Sequence, residues 1–228
     1  MSPFVNIHTH FNNHIDNNEF VEIQNIDVDN IVNVDVSHFY SIGVHPWEVG
    51  SEVLRDSGIE RLGDLVSRCL GDLNFLAIGE CGLDRVCGVD FEIQKDVFIK
   101  QIELSEQTAK PLITHAVRTY PDIISIRKVT KAKQVWIIHG FQGNVQSAEQ
   151  LLRNDGIYLS LGDVLFKNER RASELLNVIP LDRLFFETDV AERDIVDVYK
   201  KAASLSGTEM DKLRNDIFNN FVKIFGHI

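Results

Sequence analysis

Six residues of this 228-residue chain have side chains of the types that ligate metals: His8, His10, Glu80, His115, His139 and Asp189. Each falls at or just after the end of a short apolar run that reads as a β-strand. His8 and His10 close the first run, Glu80 the fourth, His115 the fifth, His139 the sixth and Asp189 the eighth. In His8-Thr9-His10 the two imidazoles are two positions apart, so on a strand they share one face. Four imidazoles and two carboxylates form a borderline set of nitrogen and oxygen donors, suited to Zn, Mn, Fe, Ni or, less tightly, Mg. Six ligands exceed what one closed tetrahedral site needs, and a shared carboxylate is the usual way to hold two cations about 3.5–4 Å apart. The pattern predicts two divalent ions. Glu80 would bridge them, His8, His10 and Asp189 would complete one shell, and His115 with His139 would hold the other ion. Such a pair lowers the pKa of a water and polarises an electrophile, which is hydrolytic chemistry. Asp189 is the group placed to ligate and to accept the water's proton.

One histidine at a strand end is more often a hydrogen-bonded structural residue than a ligand. The coincidence decides otherwise, because these four of the eight histidines lie at or just after strand ends together with an acid at each of two others. His14, His38 and His227 fit no such pattern and read as surface or loop residues. A Gly-x-Ser-x-Gly elbow and a Walker-type phosphate loop are both absent from the sequence, so nothing supports a serine nucleophile or a nucleotide loop.

Positioning these residues requires strands whose C-terminal ends converge. Apolar runs recur at residues 4–8, 20–26, 39–44, 75–79, 111–115, 134–139, 157–161 and 183–187. Most are near-continuous Ile, Val, Leu and Phe, the pattern of parallel strands covered by helices. From the third onward each is followed by a helical stretch. Met210, Leu213, Ile217, Phe221 and Ile224 repeat at helical spacing, with Thr208 placed as a cap and Gly226 beyond the end. A helix over 145–155 has Asn144 as its cap and Gly156 as its stop. Eight strands alternating with helices predict an α/β fold, a single (β/α)8 TIM-type barrel domain over 1–228, whose active sites lie at the C-terminal ends of the strands. The connections at 11–19 and 27–38 look too short and polar for full helices, which predicts a barrel trimmed there.

A composition of 44% hydrophobic and 25% charged residues is ordinary for a soluble domain. The sequence holds no apolar run near the roughly 18 residues of a membrane span, and the N-terminus shows no leader pattern, so a cytoplasmic protein without membrane attachment is expected. Cys69, Cys81 and Cys87 are too sparse for a disulfide framework and read as reduced thiols. The net charge of −11 works against sequence-independent capture of duplex nucleic acid, although bound cations would offset it locally.

The motifs in order resemble those of the TatD-type metal-dependent deoxyribonucleases of the amidohydrolase superfamily. They are Asn6-Ile-His8-Thr-His10, Gly43-Val-His45-Pro46, Ile-Gly-Glu80-Cys-Gly-Leu-Asp84, Pro111-Leu-Ile-Thr-His115, His139-Gly-Phe and Glu187-Thr-Asp189. The resemblance spans nearly the whole chain. It implies the same six metal positions, a TIM barrel and hydrolysis of phosphodiesters in DNA. Departures bear on the substrate: Asn6 stands where the family has an acid, and Val117-Arg118 where it has an Arg two residues after the histidine. Val190-Ala-Glu-Arg replaces the family's Pro-Tyr and long loop after Asp189.

For substrate binding, His45 at the third strand end and Lys167 after the seventh are the candidates, the lysine as a point charge for phosphate. Asp84 is expected to orient a ligand. Trp47 is rim material that either stacks a base or caps the barrel. The substrate implied is DNA, single-stranded or at a 3′ end. A small ester, amide or phosphate is the alternative, favoured by the acidic charge and short loops. A non-catalytic metal-binding barrel ranks last, because six polar ligands without an ion are costly to keep in a concave site.

Overall fold

The computed structural model describes residues 1–11, 14, 18–28, 38–50 and 57–226. Most of the two connections expected to be trimmed, and His227, lie outside the described residues. The eight apolar runs correspond to eight strands: β1 (Phe4–Thr9), β2 (Phe20–Asp27), β3 (Tyr40–Gly43), β4 (Phe75–Asp84), β5 (Leu112–Val117), β6 (Trp136–Ile138), β7 (Ile157–Leu161) and β8 (Leu184–Phe186). They form one sheet in chain order from β1 to β8. The pairs β1–β2, β3–β4, β4–β5 and β7–β8 are parallel. Thr9 at the end of β1 bridges Asp189, just past β8, in the parallel sense. First and last strands are therefore neighbours, and the connectivity is that of a (β/α)8 barrel.

The described helices are α1 (Ser57–Cys69), α2 (Phe91–Thr108), α3 (Tyr120–Thr130), α4 (Val145–Leu152), α5 (Val164–Lys167), α6 (Glu169–Val178), α7 (Ile195–Ser206) and α8 (Met210–Phe225). Asn144 caps α4 as expected, accepting the Ser147 N–H at 2.8 Å. At α8 the expectation was one residue off. Glu209 is the cap, without a side-chain bond, and the Thr208 N–H instead donates to the Ser206 hydroxyl. Among the described residues, no helix is long and apolar enough to cross a membrane. All three cysteines are free thiols.

The chain divides into two compact units, Met1–Gln24 with Ile138–Ile228, and Asn25–Ile137. In the first, α7 and α8 cover β1 and β8. Buried Tyr199 of α7 packs edge-on against Phe4 and Phe186, at 5.1 and 4.8 Å between ring centres. Its hydroxyl accepts the Val5 N–H and donates to the Val5 carbonyl, both at 3.1 Å. A helix side chain thus satisfies backbone groups of β1.

In the second unit, fully buried Trp136 packs against Phe98 of α2. Two buried glutamines two turns apart on α2 grip the strand ends. Gln101 accepts the Val44 N–H at 2.8 Å and donates to its carbonyl at 3.0 Å. Gln94 does the same for Asp84, at 2.7 and 2.9 Å. Because a primary amide mimics a peptide group, each glutamine extends the backbone ladder at the residue that starts a loop.

Candidate active site

The unit Asn25–Ile137 brings His45, Glu80 and His115 together. His45 Nε2 lies 3.2 Å and His115 Nδ1 2.8 Å from Glu80 Oε1, and the two ring nitrogens are 3.4 Å apart. Glu80 does not close its strand. β4 continues to Asp84, with Cys81 to Asp84 paired to Thr114 to Val117 after a register shift. The Glu80 N–H donates to the Asn25 side-chain oxygen at 2.6 Å. Gly82, at φ +145°, lets β4 approach β5 so closely that a Cβ would stand 2.0 Å from the His115 carbonyl oxygen.

Buried Asp84 organises the outer side of this cluster. One of its oxygens accepts the Val86 and Cys87 N–H groups at 2.6 and 3.3 Å. The other contacts His115 Nε2 at 3.1 Å and accepts the Trp47 indole N–H at 2.7 Å. Burial works to raise its pKa, but bonds from Trp47, Val86 and His115 outweigh it and hold the carboxyl below its ordinary value. Asp84 therefore accepts from one ring nitrogen of His115 and leaves the other facing Glu80, the carboxylate–histidine arrangement that orients metal ligands. Beside it, burial and then the Glu80 charge push the Cys81 thiol up, so it stays protonated.

The unit Met1–Gln24 with Ile138–Ile228 brings His8, His10, His139 and Asp189 together. His8 and His10 each place Nε2 3.6 Å from Asp189 Oδ1, and the His8 and His139 rings are 4.2 Å apart. Asp189 adopts a left-handed backbone, φ 53°. It is held there by its N–H donating to the His8 carbonyl at 3.1 Å and its carbonyl accepting the His10 N–H at 3.2 Å. Asn6, buried in β1, takes the Thr188 N–H at 3.0 Å and donates to the Thr188 hydroxyl and to Glu22. Glu187 accepts the Gly140 N–H and lies 3.7 Å from His139 Nδ1.

Ligand-type atoms of His8, His139 and Asp189 lie within 4.8 Å of one another, as do those of His45, Glu80 and His115. The donor set fits divalent cations: in the second group the Glu80 carboxylate and His115 Nδ1, whose ring proton Asp84 holds on Nε2, meet at 2.8 Å, which is repulsive without a cation or proton between them. His45, expected at the substrate, offers its nitrogen to that same point. Lys167 is mostly exposed on α5, its ammonium 2.7 Å from Asp163, to which Arg193 also donates at 2.9 Å. His14, read as a surface or loop residue, lies in a loop but is only 15% exposed, between Glu22 and Asp194. Sequence reasoning missed Gln94, Gln101 and Asn25, whose polar side chains carry no sign of burial.

A family model described as TatD related DNase matches residues 19–226. The chain belongs to the TatD family. Among similar proteins, an uncharacterized metal-dependent hydrolase of Buchnera aphidicola (subspecies Acyrthosiphon pisum) is 35% identical over 66% of this chain, which spans only 58% of that protein's length. The uncharacterized metal-dependent hydrolase YcfH of Escherichia coli K12 is 28% identical, over 82% of this chain and 73% of its own. The crystal structure of YjjV, a TatD homologue from the same strain, superposes with a TM-score of 0.84 at 20% identity, covering 99% of this chain and 98% of that one. That likeness is one of fold, and it agrees with the barrel connectivity.

Proposed function

We propose that this chain is a metal-dependent phosphodiesterase acting on DNA. The observation that carries the proposal is the approach of His115 Nδ1 to the Glu80 carboxylate, with His45 Nε2 beside them. Family membership and the second cluster at His8, His139 and Asp189 support it. His8, His10, His139 and Asp189 would hold one divalent ion, and Glu80 and His115, with His45 beside them, a second. Ions bound there supply a water of near-neutral pKa and polarise the phosphoryl oxygen.

The chain's own residues do the rest. The Asp189 carboxylate, partly exposed and steadied by two imidazoles, accepts the proton of the attacking water at Oδ1. Asp84 keeps the proton of His115 on Nε2. Lys167 offers an exposed cation to a phosphate if its bond to Asp163 opens. The net charge of −11 favours a second reading, a small phosphate or ester in place of a polymer.

The test is cleavage of single-stranded DNA and of bis-p-nitrophenyl phosphate with Mn or Zn. The parent should turn over both, and His115→Ala should lose at least about 100-fold, since even partners of ligands cost 10–100-fold. No cleavage with any divalent ion rejects the proposal. A small-substrate enzyme would cleave the chromogenic ester and leave DNA intact.

A further inference from the structure

Two tryptophans lie in the same unit and have opposite surroundings. Trp136 is fully buried, whereas Trp47 is 61% exposed. An indole on the surface usually keeps its N–H for water, but that of Trp47 is bonded at 2.7 Å to buried Asp84. Its backbone N–H donates to His45 Nδ1 at 3.3 Å. The ring stands edge-on to His45 at 5.2 Å and to His115 at 6.4 Å, both at nearly right angles. Polar handle and backbone are thus both committed, so what remains to be offered is a flat apolar face, fixed one ring's width from the His45–Glu80–His115 cluster. A ring that merely capped the cluster would be covered by its neighbours. Val86, whose backbone N–H is held on the other oxygen of the same carboxylate, is also 61% exposed.

We propose that Trp47 is the stacking platform for a nucleobase of the substrate, and that it makes the site selective for nucleotide phosphoesters over sugar phosphates. This rests on the phosphodiesterase reading and adds the recognition of the organic part. A pre-positioned aromatic face loses little freedom on binding, and it accepts any base because every base has a π-face. Phosphate or a sugar alone gains little from such a surface.

Binding of dAMP and of 2-deoxyribose 5-phosphate to the full chain in Mn2+ tests the assignment by calorimetry, alongside tryptophan fluorescence. Stacking predicts that dAMP binds about 5- to 150-fold more tightly than the sugar phosphate, and that it quenches the exposed indole. Trp47→Ala should erase that margin, and Trp47→Phe, which keeps a ring, should retain most of it. The proposal is overturned if the parent binds both ligands equally, if the margin survives in Trp47→Ala, or if saturating dAMP leaves the fluorescence unchanged. The parent's fluorescence needs no variant to fold. Metal-dependent cleavage of DNA by a parent that binds dAMP and the sugar phosphate equally would sink the stacking alone, whereas absence of all cleavage counts against the catalytic reading and leaves the binding margin as a separate result.

Discussion

Replacing Asp84 with Asn keeps the shape of the side chain and changes only what it can accept. The amide oxygen can still take the Val86 and Cys87 N–H groups, which now sit at 2.6 and 3.3 Å. The new NH2 would then face the Trp47 indole N–H and the His115 ring, donors toward a donor. Trp47 is mostly exposed and turns to water at little cost. The His115 side chain is only 12% exposed, and its ring would have to move its proton to Nδ1, toward Glu80 at 2.8 Å, to accept the new N–H, giving up a bond to a buried carboxylate worth about 1–3 kcal/mol. Urea unfolding of the metal-free protein at neutral pH should show that loss, and metal affinity should fall about 10- to 100-fold as the ring loses its orientation. The pH dependence has a definite sign. The carboxyl is held below its unfolded value of about 3.9, so its stabilisation is complete above that value and is lost as pH falls through the folded one. The Asn variant should lack this acid-side loss. An unchanged urea midpoint together with unchanged metal affinity would refute the account of Asp84 as the holder of His115.

Tyr199→Phe should cost about 1–3 kcal/mol in urea unfolding, because it strands the buried N–H and carbonyl of Val5. Gln101→Leu should lower the melting temperature and reduce cleavage by loosening the backbone that carries His45, while far-UV dichroism stays native. Gly82→Ala should destabilise by more than about 3 kcal/mol and appear as insoluble protein, given the 2.0 Å approach to the His115 carbonyl. Dialysis against a chelator should abolish cleavage, and added Mn or Zn should restore it; activity surviving exhaustive chelation would contradict metal dependence.

All eight strands were legible because buried parallel strands are continuous apolar runs, and this chain keeps that pattern from Phe4 to Phe186. The reading stopped β4 too early for a physical reason. Glu80 and Asp84 are polar but buried, and a run defined by apolar side chains ends where a site begins. The grouping of the histidines was less accessible. Spacing along the chain says which residues end strands, but the closeness of His8 to Asp189 follows from Thr9 bridging Asp189. Gln94 and Gln101 were invisible because glutamine on a helix looks like solvent-facing polarity until the backbone it satisfies is known.

That pair of glutamines has a consequence for how the molecule tolerates change. Both grips belong to one rod, so the origin of each loop, at Val44 and at Asp84, is set by the α2 axis and not by the loop that follows it. Drift or insertion farther along either loop can reshape what enters without disturbing the spacing of the imidazole at 45 from the carboxylate at 84. The residues lining the approach can wander in such a scaffold while positions 45 and 84 stay in register.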